Sequence, residues 1–177
     1  MATKKKSFDV EIPMIDTIIK LSALEIENLN NKTIKMDLTR QLHGKSIEAV
    51  FRISVKDGKA TADLKGFKLL PFYIQRAIRK GISYVEDSFM VPKDDVILRI
   101  KPFMITRKSV HRSVRNALRL KAAEEIKAFC ESKSIEEIVS SIIYGRYAKE
   151  LSLKLKKIYP LSFCEIRIFE ILKKKEQ

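Results

Sequence analysis

The chain has 177 residues, and 45% of them are hydrophobic, so it can bury a core and is not a disordered segment. Its 36 Lys and Arg against 22 Asp and Glu give a net charge of +14, which points to a polyanionic partner. The longest apolar run, residues 69–74, is far short of the ~20 residues that span a bilayer, and Cys130 and Cys164 lack the spacing of a zinc site.

Residues 1–7, with Lys4, Lys5 and Lys6, read as a basic N-terminal tail. No apolar h-region follows it, so no signal peptide is expected and the protein should stay where it is made. In an RNA binder such a tail orders against phosphate. One domain is expected over residues 8–172, followed by a polar tail at 173–177.

Residues 16–27 read as a strand with Thr17, Ile19, Leu21 and Ala23 on one parity, and the Asn-rich stretch 28–31 as a turn. Residues 33–38 alternate and predict a second strand. The clearest hairpin follows. Ile47, Ala49, Phe51, Ile53 and Val55 fall on one parity, Asp57-Gly58 supplies a two-residue turn, and a partner strand returns from Ala60 to near Gly66 and Phe67. Pro71 opens a short helix over 72–80 that Gly81 closes. Strands are expected over 82–91 and 96–106, joined by a turn at 92–95, with Pro102 marking an edge or a bulge.

The second half turns helical. Ser109 is a candidate cap for a helix running to about Glu131. Ser134 and Glu137 form a capping box, and Ile135, Ile138, Val139, Ile142 and Ile143 make one apolar stripe that ends at Gly145. Ala148, Leu151, Leu155 and Ile158 predict a further helix, stopped by Pro160. Residues 163–172 return as a strand with Cys164, Ile166 and Ile168 alternating against Glu165 and Arg167. Strands and helices are segregated, which predicts an α+β fold. Its sheet should be strand-rich, mostly antiparallel and partly barrel-like, flanked by about four helices, three of them in the C-terminal half.

The positive charge is concentrated. Residues 107–121 hold Arg107, Lys108, His111, Arg112, Arg115, Arg119 and Lys121 and no acid. On a helix Arg112, Arg115 and Arg119 share one face, and Val110, Val114, Ala117 and Leu118 fall on the opposite side. Arginine suits phosphate because its fork bonds two oxygens at once. Lys68, Arg76, Arg79 and Lys80 add charge on and around the short helix. Phe67, Phe72, Tyr73, Tyr84, Phe89, Phe103 and Tyr147 are candidates for base stacking, although core packing is the commoner role of such residues. There is no RNP-type aromatic motif and no GxxG loop. Phosphate contacts and shape recognition of folded RNA are therefore expected.

Positive signs of catalysis are absent from the sequence: there is no Walker loop and no GxGxxG, and His43 and His111 lack a nucleophile partner. No enzymatic activity and no cofactor are expected. The least implausible enzyme would be a metal-dependent nuclease using Asp94 and Asp95. A free RNA-binding adaptor or chaperone is the main alternative to a structural role.

Several segments together resemble a known family. They are Gly66-Phe67-Lys68-Leu69, Arg79-Lys80-Gly81, Lys93-Asp94-Asp95 leading into Arg99, Ile105-Thr106-Arg107, the run 156–161 and Glu165-Ile166-Arg167. In order and spacing they resemble the archaeal and eukaryotic small-subunit ribosomal proteins of the S-three-A-e type, also called the eukaryotic-type S-one family. The resemblance covers residues 46–172 and, more loosely, 16–45. It implies a barrel-like α+β domain on the platform of the small subunit, near the mRNA exit. The implied partners are ribosomal RNA, neighbouring platform proteins and mRNA near the exit; no membrane is implied. The implied location is cytoplasmic and ribosome-bound. The family's basic segment falls here on Arg107, Lys108, Arg112 and Arg115, and its basic pair before glycine on Arg79 and Lys80. Relatives carry a longer basic arm containing tryptophan, whereas this chain has no Trp. It also lacks the long C-terminal extension of eukaryotic members, which implies an archaeal-type form.

Overall fold

The computed structural model describes residues 6–42, 44–56 and 58–173. Among these, nine strands share one mostly antiparallel sheet that does not close on itself. In chain order the elements are β1 (Lys6–Ile12), β2 (Thr17–Ala23), β3 (Thr33–Asp37), β4 (Ile47–Lys56), β5 (Lys59–Leu69), α1 (Pro71–Ala77), β6 (Tyr84–Glu86), β7 (Phe89–Lys93), β8 (Val96–Thr106), α2 (Arg112–Ser132), α3 (Ile135–Ile143), α4 (Arg146–Leu155) and β9 (Leu161–Lys173). The α+β class and the antiparallel sheet agree with the expectation from sequence.

Two long strands organise the sheet. β4 runs antiparallel along one edge of β5 from Ile47↔Leu69 to Lys56↔Lys59. The other edge of β5 is shared: β1 pairs with it in parallel at Ala60 and Thr61, and β9 antiparallel at residues 66–68. β8 pairs with β9 on one edge. On its other edge, β7 lies beside its first half and β6 beside residues 103–105. The core follows from parity. Ile47, Ala49, Phe51 and Ile53 of β4 are buried, as their period-two spacing requires. From Pro102 to Thr106 β8 is buried on both faces.

β9 departs from simple alternation. Lys101 faces Ile168 and Pro102 faces Ile166, so Arg167 is an extra residue. Pro102 therefore sits at a bulge in a central strand, a setting that its ring allows. Parity changes across that bulge, and Ile166 and Phe169 are the buried pair. Phe169 stacks on Phe67 of β5 with ring centroids 5.4 Å apart. Beside these strands, Lys45 ties β9 to α3: its Nζ lies 2.7 Å from Glu165 Oε2 and 3.1 Å from the Ile142 carbonyl. Burial pushes the Glu165 carboxyl up, and the Lys45 ammonium pulls it back.

Several boundaries differ from expectation, each for a local reason. Lys6 and Ser7 belong to β1, where Val10 and Ile12 are buried and Asp9 and Glu11 point out. The strand expected over 16–27 ends at Ala23. The single strand expected over 82–91 is two, β6 and β7, broken at Asp87 and Ser88, and β7 runs through Pro92 to Lys93. The turn then falls on Asp94, with φ 50, and Asp95. α1 ends at Ala77 because Ile78 is extended, so Gly81 does not cap it, and Arg79 and Lys80 lie in the loop beyond. A longer α1 would bury little more, since Ile74 is its one buried residue. α2 starts at Arg112 with His111 as N-cap, not Ser109. α3 keeps its cap, Ser134 Oγ accepting from the Glu137 N–H at 3.4 Å, and Gly145 ends it at φ 73. Ile158 lies past the end of α4 and is exposed. His43, Asp57 and the tail beyond residue 173 lie outside the described residues.

Candidate nucleic-acid interface

A hydrogen-bonded knot positions the basic surface. Thr106, the last residue of β8, is wholly buried. Its hydroxyl lies 2.7 Å from the Lys108 carbonyl and 2.9 Å from the Ser83 carbonyl, and it accepts from the Ser83 N–H at 3.1 Å. The Thr106 N–H donates to the Ser83 carbonyl at 2.9 Å. The Val110 N–H donates to Ser83 Oγ at 3.2 Å. These bonds hold the start of α2 back to Arg112, because the backbone of 108–110 is committed to the strand end. They also join the loop after α1 to the segment before α2. A cleft of about 320 Å³ lies there, with Arg79 and Arg107 among its lining residues, over Ser162 and Phe163.

Replacing this hydroxyl tests the knot. Thr106→Val keeps the shape but leaves half-buried backbone groups of Ser83 and Lys108 short of a partner. The expected cost is about 1–3 kcal/mol, seen as a lower thermal midpoint and faster exchange of the Ser83 amide. An unchanged midpoint would mean that the loops are held by other contacts.

Arg79, Lys80, Arg107, Lys108, His111, Arg112, Arg115 and Arg119 are all exposed. Among the described residues none of them has an ion-pair partner. Arg119 instead donates from Nη2 to Asn116 Oδ1 at 3.0 Å. The start of α2 gathers positive charge twice over. Its first turn holds no acid, and the N-cap His111 makes no side-chain cap bond. The free N–H groups there carry the positive end of the helix dipole, next to the arginines. That arrangement repels itself and is relieved by an anion.

In the first turns of α2 the arginines project to solvent and the apolar side packs inward, as expected, Val114 lying against the core. Leu118, Ala122, Ile126, Phe129 and Cys130 are the buried residues of α2, whereas Val114 and Ala117 are half-buried. Arg115 lies seven residues before the buried Ala122, and Arg119 seven before the buried Ile126, so each pair shares a flank of the helix. The same flank is buried further along and exposed at the arginines. The arginine flank of the N-terminal turns thus stands clear of the layer that covers it further along, while Val114 and Leu118 hold these turns to the core.

Not every basic residue joins this surface. Lys121 is neutralised by Glu124 at 3.1 Å and Glu125 at 3.4 Å, which hold its ammonium in the charged form. The acid-free surface therefore ends at Arg119. Lys68 is paired with Glu48 at 2.6 Å on the β4–β5 ribbon. Arg76 is exposed on α1, before the bend. Lys6 is exposed on β1, which pairs with β2 and β5 and not with β8. Lys4 and Lys5 lie outside the described residues. Of the aromatic candidates, Phe67, Phe103 and Tyr147 are buried and Tyr73 and Phe89 half-buried, while Phe72 and Tyr84 are exposed. Tyr84, next to Ser83, lies on Phe103 at 6.0 Å between ring centroids and turns its outer side to solvent beside the knot. The residues that sequence missed are Ser83 and Thr106, whose hydroxyls carry no pattern along the chain. Asp94 and Asp95 form the exposed β7–β8 turn, and among the described residues no three His, Cys, Asp or Glu gather as a metal site.

Comparison with known proteins finds the Ribosomal S3Ae family, whose sequence pattern matches residues 2–175. The chain is 26% identical over 174 residues to small ribosomal subunit protein eS1 of Nanoarchaeum equitans, covering 94% of this chain and 88% of that one. It is 31% identical over 132 residues to the protein of that name in Methanothermobacter thermautotrophicus, covering 73% and 68%. With the one in Pyrobaculum neutrophilum it shares 27% over 161 residues, covering 88% and 72%. All three sources are archaea, in line with an archaeal-type form.

Proposed function

Because the chain belongs to the Ribosomal S3Ae family and so has a structural role in the ribosome, we propose that it holds folded rRNA on the platform of the small subunit, near the mRNA exit. The contact runs through phosphates. The observation that carries this reading is the bare arginine flank of α2, uncapped at its positive end and joined to Arg79 and Arg107 by the Thr106–Ser83 knot. Such a surface reads backbone position and shape rather than base sequence. Tyr84 is placed to stack against an unpaired base at its rim. Lys4, Lys5, Lys6, Lys68 and Arg76 belong to the outer contacts, and Lys68 must first leave Glu48. The remaining partners are neighbouring platform proteins and, at the exit, mRNA. The protein works in the cytoplasm, bound to the ribosome, without catalysis and without a cofactor.

The salt dependence of binding to purified small-subunit rRNA tests the mechanism. If about five of the basic groups meet phosphates, log K should fall with log salt at a slope of about −4 to −5. Alanine at Arg112 and Arg115 should flatten that slope by about 2. A shallow slope that these substitutions leave unchanged would rule out phosphate contacts by α2.

A further inference from the structure

A second surface has the opposite charge. A groove of about 570 Å³ lies between β5, the turn after β1, the start of α3 and the end of β9. Its floor is apolar: Met14, Leu64, Ile135 and Ile171 are half-buried there. Its rim carries Asp63, Glu136 and Glu137, all exposed. No Lys or Arg lines it, in a chain with 36 bases and 22 acids. Among the described residues none of the three rim acids has an ion-pair partner. Glu136 and Glu137 suit the first turn of α3, where the dipole favours them. Asp63 comes from β5, across from Arg52 of β4, and accepts from Ser54 Oγ at 3.3 Å. The groove is also far from the arginine surface. Ile171 and Ser162 line the two sites and are nine residues apart on β9, a span of about 30 Å.

We propose that this groove receives an extended basic segment of a neighbouring ribosomal protein, one aliphatic or aromatic side chain entering between Leu64 and Ile171 while flanking Lys or Arg meet Asp63 and Glu136. Phosphate is repelled from this rim, so RNA is the wrong occupant. A protein neighbour is the right one, because a chain bound to the same RNA is basic for the same electrostatic reason as this one. Apolar floor and charged rim are the ordinary division of labour of a protein interface. Residues 174–177 are all polar and hold no apolar anchor. The inference rests on membership of the small subunit and not on the α2 contact.

The test uses assembled small subunits that contain a Ser140→Cys variant carrying a short thiol-linked photo-cross-linker. Ser140 is half-buried and lines the groove. Wild-type subunits, labelled only at Cys130 and Cys164, give the background. Mass spectrometry should find one dominant adduct, on a ribosomal-protein peptide with at least two Lys or Arg beside an apolar residue. Adding Asp63→Lys and Glu136→Lys should lower its yield by about tenfold without loss of the protein from the subunit. Cross-links to RNA, to this chain itself or to nothing would overturn the proposal, as would a yield indifferent to the reversed charges. Failure of the α2 contact would show separately, as lost incorporation with the groove intact.

Discussion

The triple variant Arg112→Glu, Arg115→Glu and Arg119→Glu is expected to abolish incorporation into the small subunit while the isolated protein stays folded. All three side chains are exposed and free of ion pairs among the described residues, so no internal contact of weight is lost. The substitutions even suit the helix. Two of them place acids in the first turn or so of α2, where the dipole favours negative charge. The thermal midpoint of the free protein should thus move by no more than a few degrees. Binding behaves differently. Three charge-assisted phosphate contacts at about 1.5 kcal/mol each amount to about a thousandfold in affinity, and the new glutamates add repulsion. The readout is the fraction of tagged variant found with small subunits on a sucrose gradient. Wild-type levels there would remove α2 from the rRNA interface.

Gly66→Ala should have the largest effect on the fold. A Cβ at this position would lie 2.5 Å from the Phe169 carbonyl oxygen and 3.1 Å from Glu170 Cα. Both are backbone atoms of the facing strand, so no side chain can turn aside. The β5–β9 junction has only three paired residues, Gly66↔Glu170, Phe67↔Phe169 and Lys68↔Ile168. Among the described residues it is the one seam that links the β3–β4–β5 part of the sheet to β9 and β8. Forcing it open should cost about 3 kcal/mol or more, a large share of the 5–15 kcal/mol that is typical of a domain. A urea titration would show the midpoint fall. Gly58→Ala provides the contrast: it has open space and a φ of +75, so only backbone strain of about 1 kcal/mol opposes it. Equal losses in the two variants would mean that the close strand approach at Gly66 is not what limits stability.

The parts of this molecule that were legible in the sequence are those fixed by near neighbours. The β4–β5 ribbon follows from period two between Ile47 and Val55, and the α3 cap from Ser134 and Glu137. The acid-free run from Arg107 to Arg119 is likewise plain along the chain. What was hidden depends on residues far apart in the chain. β1 alternates only over Phe8, Val10 and Ile12 before Pro13, and its parallel pairing with Ala60 has no local signal. The extra residue at Arg167 shifts the parity of β9, and a reading by strict alternation puts the wrong residues inside. The inward side of the first turns of α2 was legible in Val114 and Leu118, whereas the burial of the arginine flank further along, at Ala122 and Ile126, was not. The Thr106–Ser83 knot depends on two hydroxyls 23 residues apart.

Sedimentation of a native lysate, at about 50 and then about 200 mM salt, tests the central claim most directly. Over that range, binding of a basic protein to free RNA weakens by orders of magnitude, whereas a component built into a folded subunit is held at many points at once. The account predicts that the protein travels with the small subunit at both salts. Finding it near the top of the gradient at both, or released to the top on passing from one to the other, would contradict a structural place in the subunit and favour a free RNA-binding adaptor.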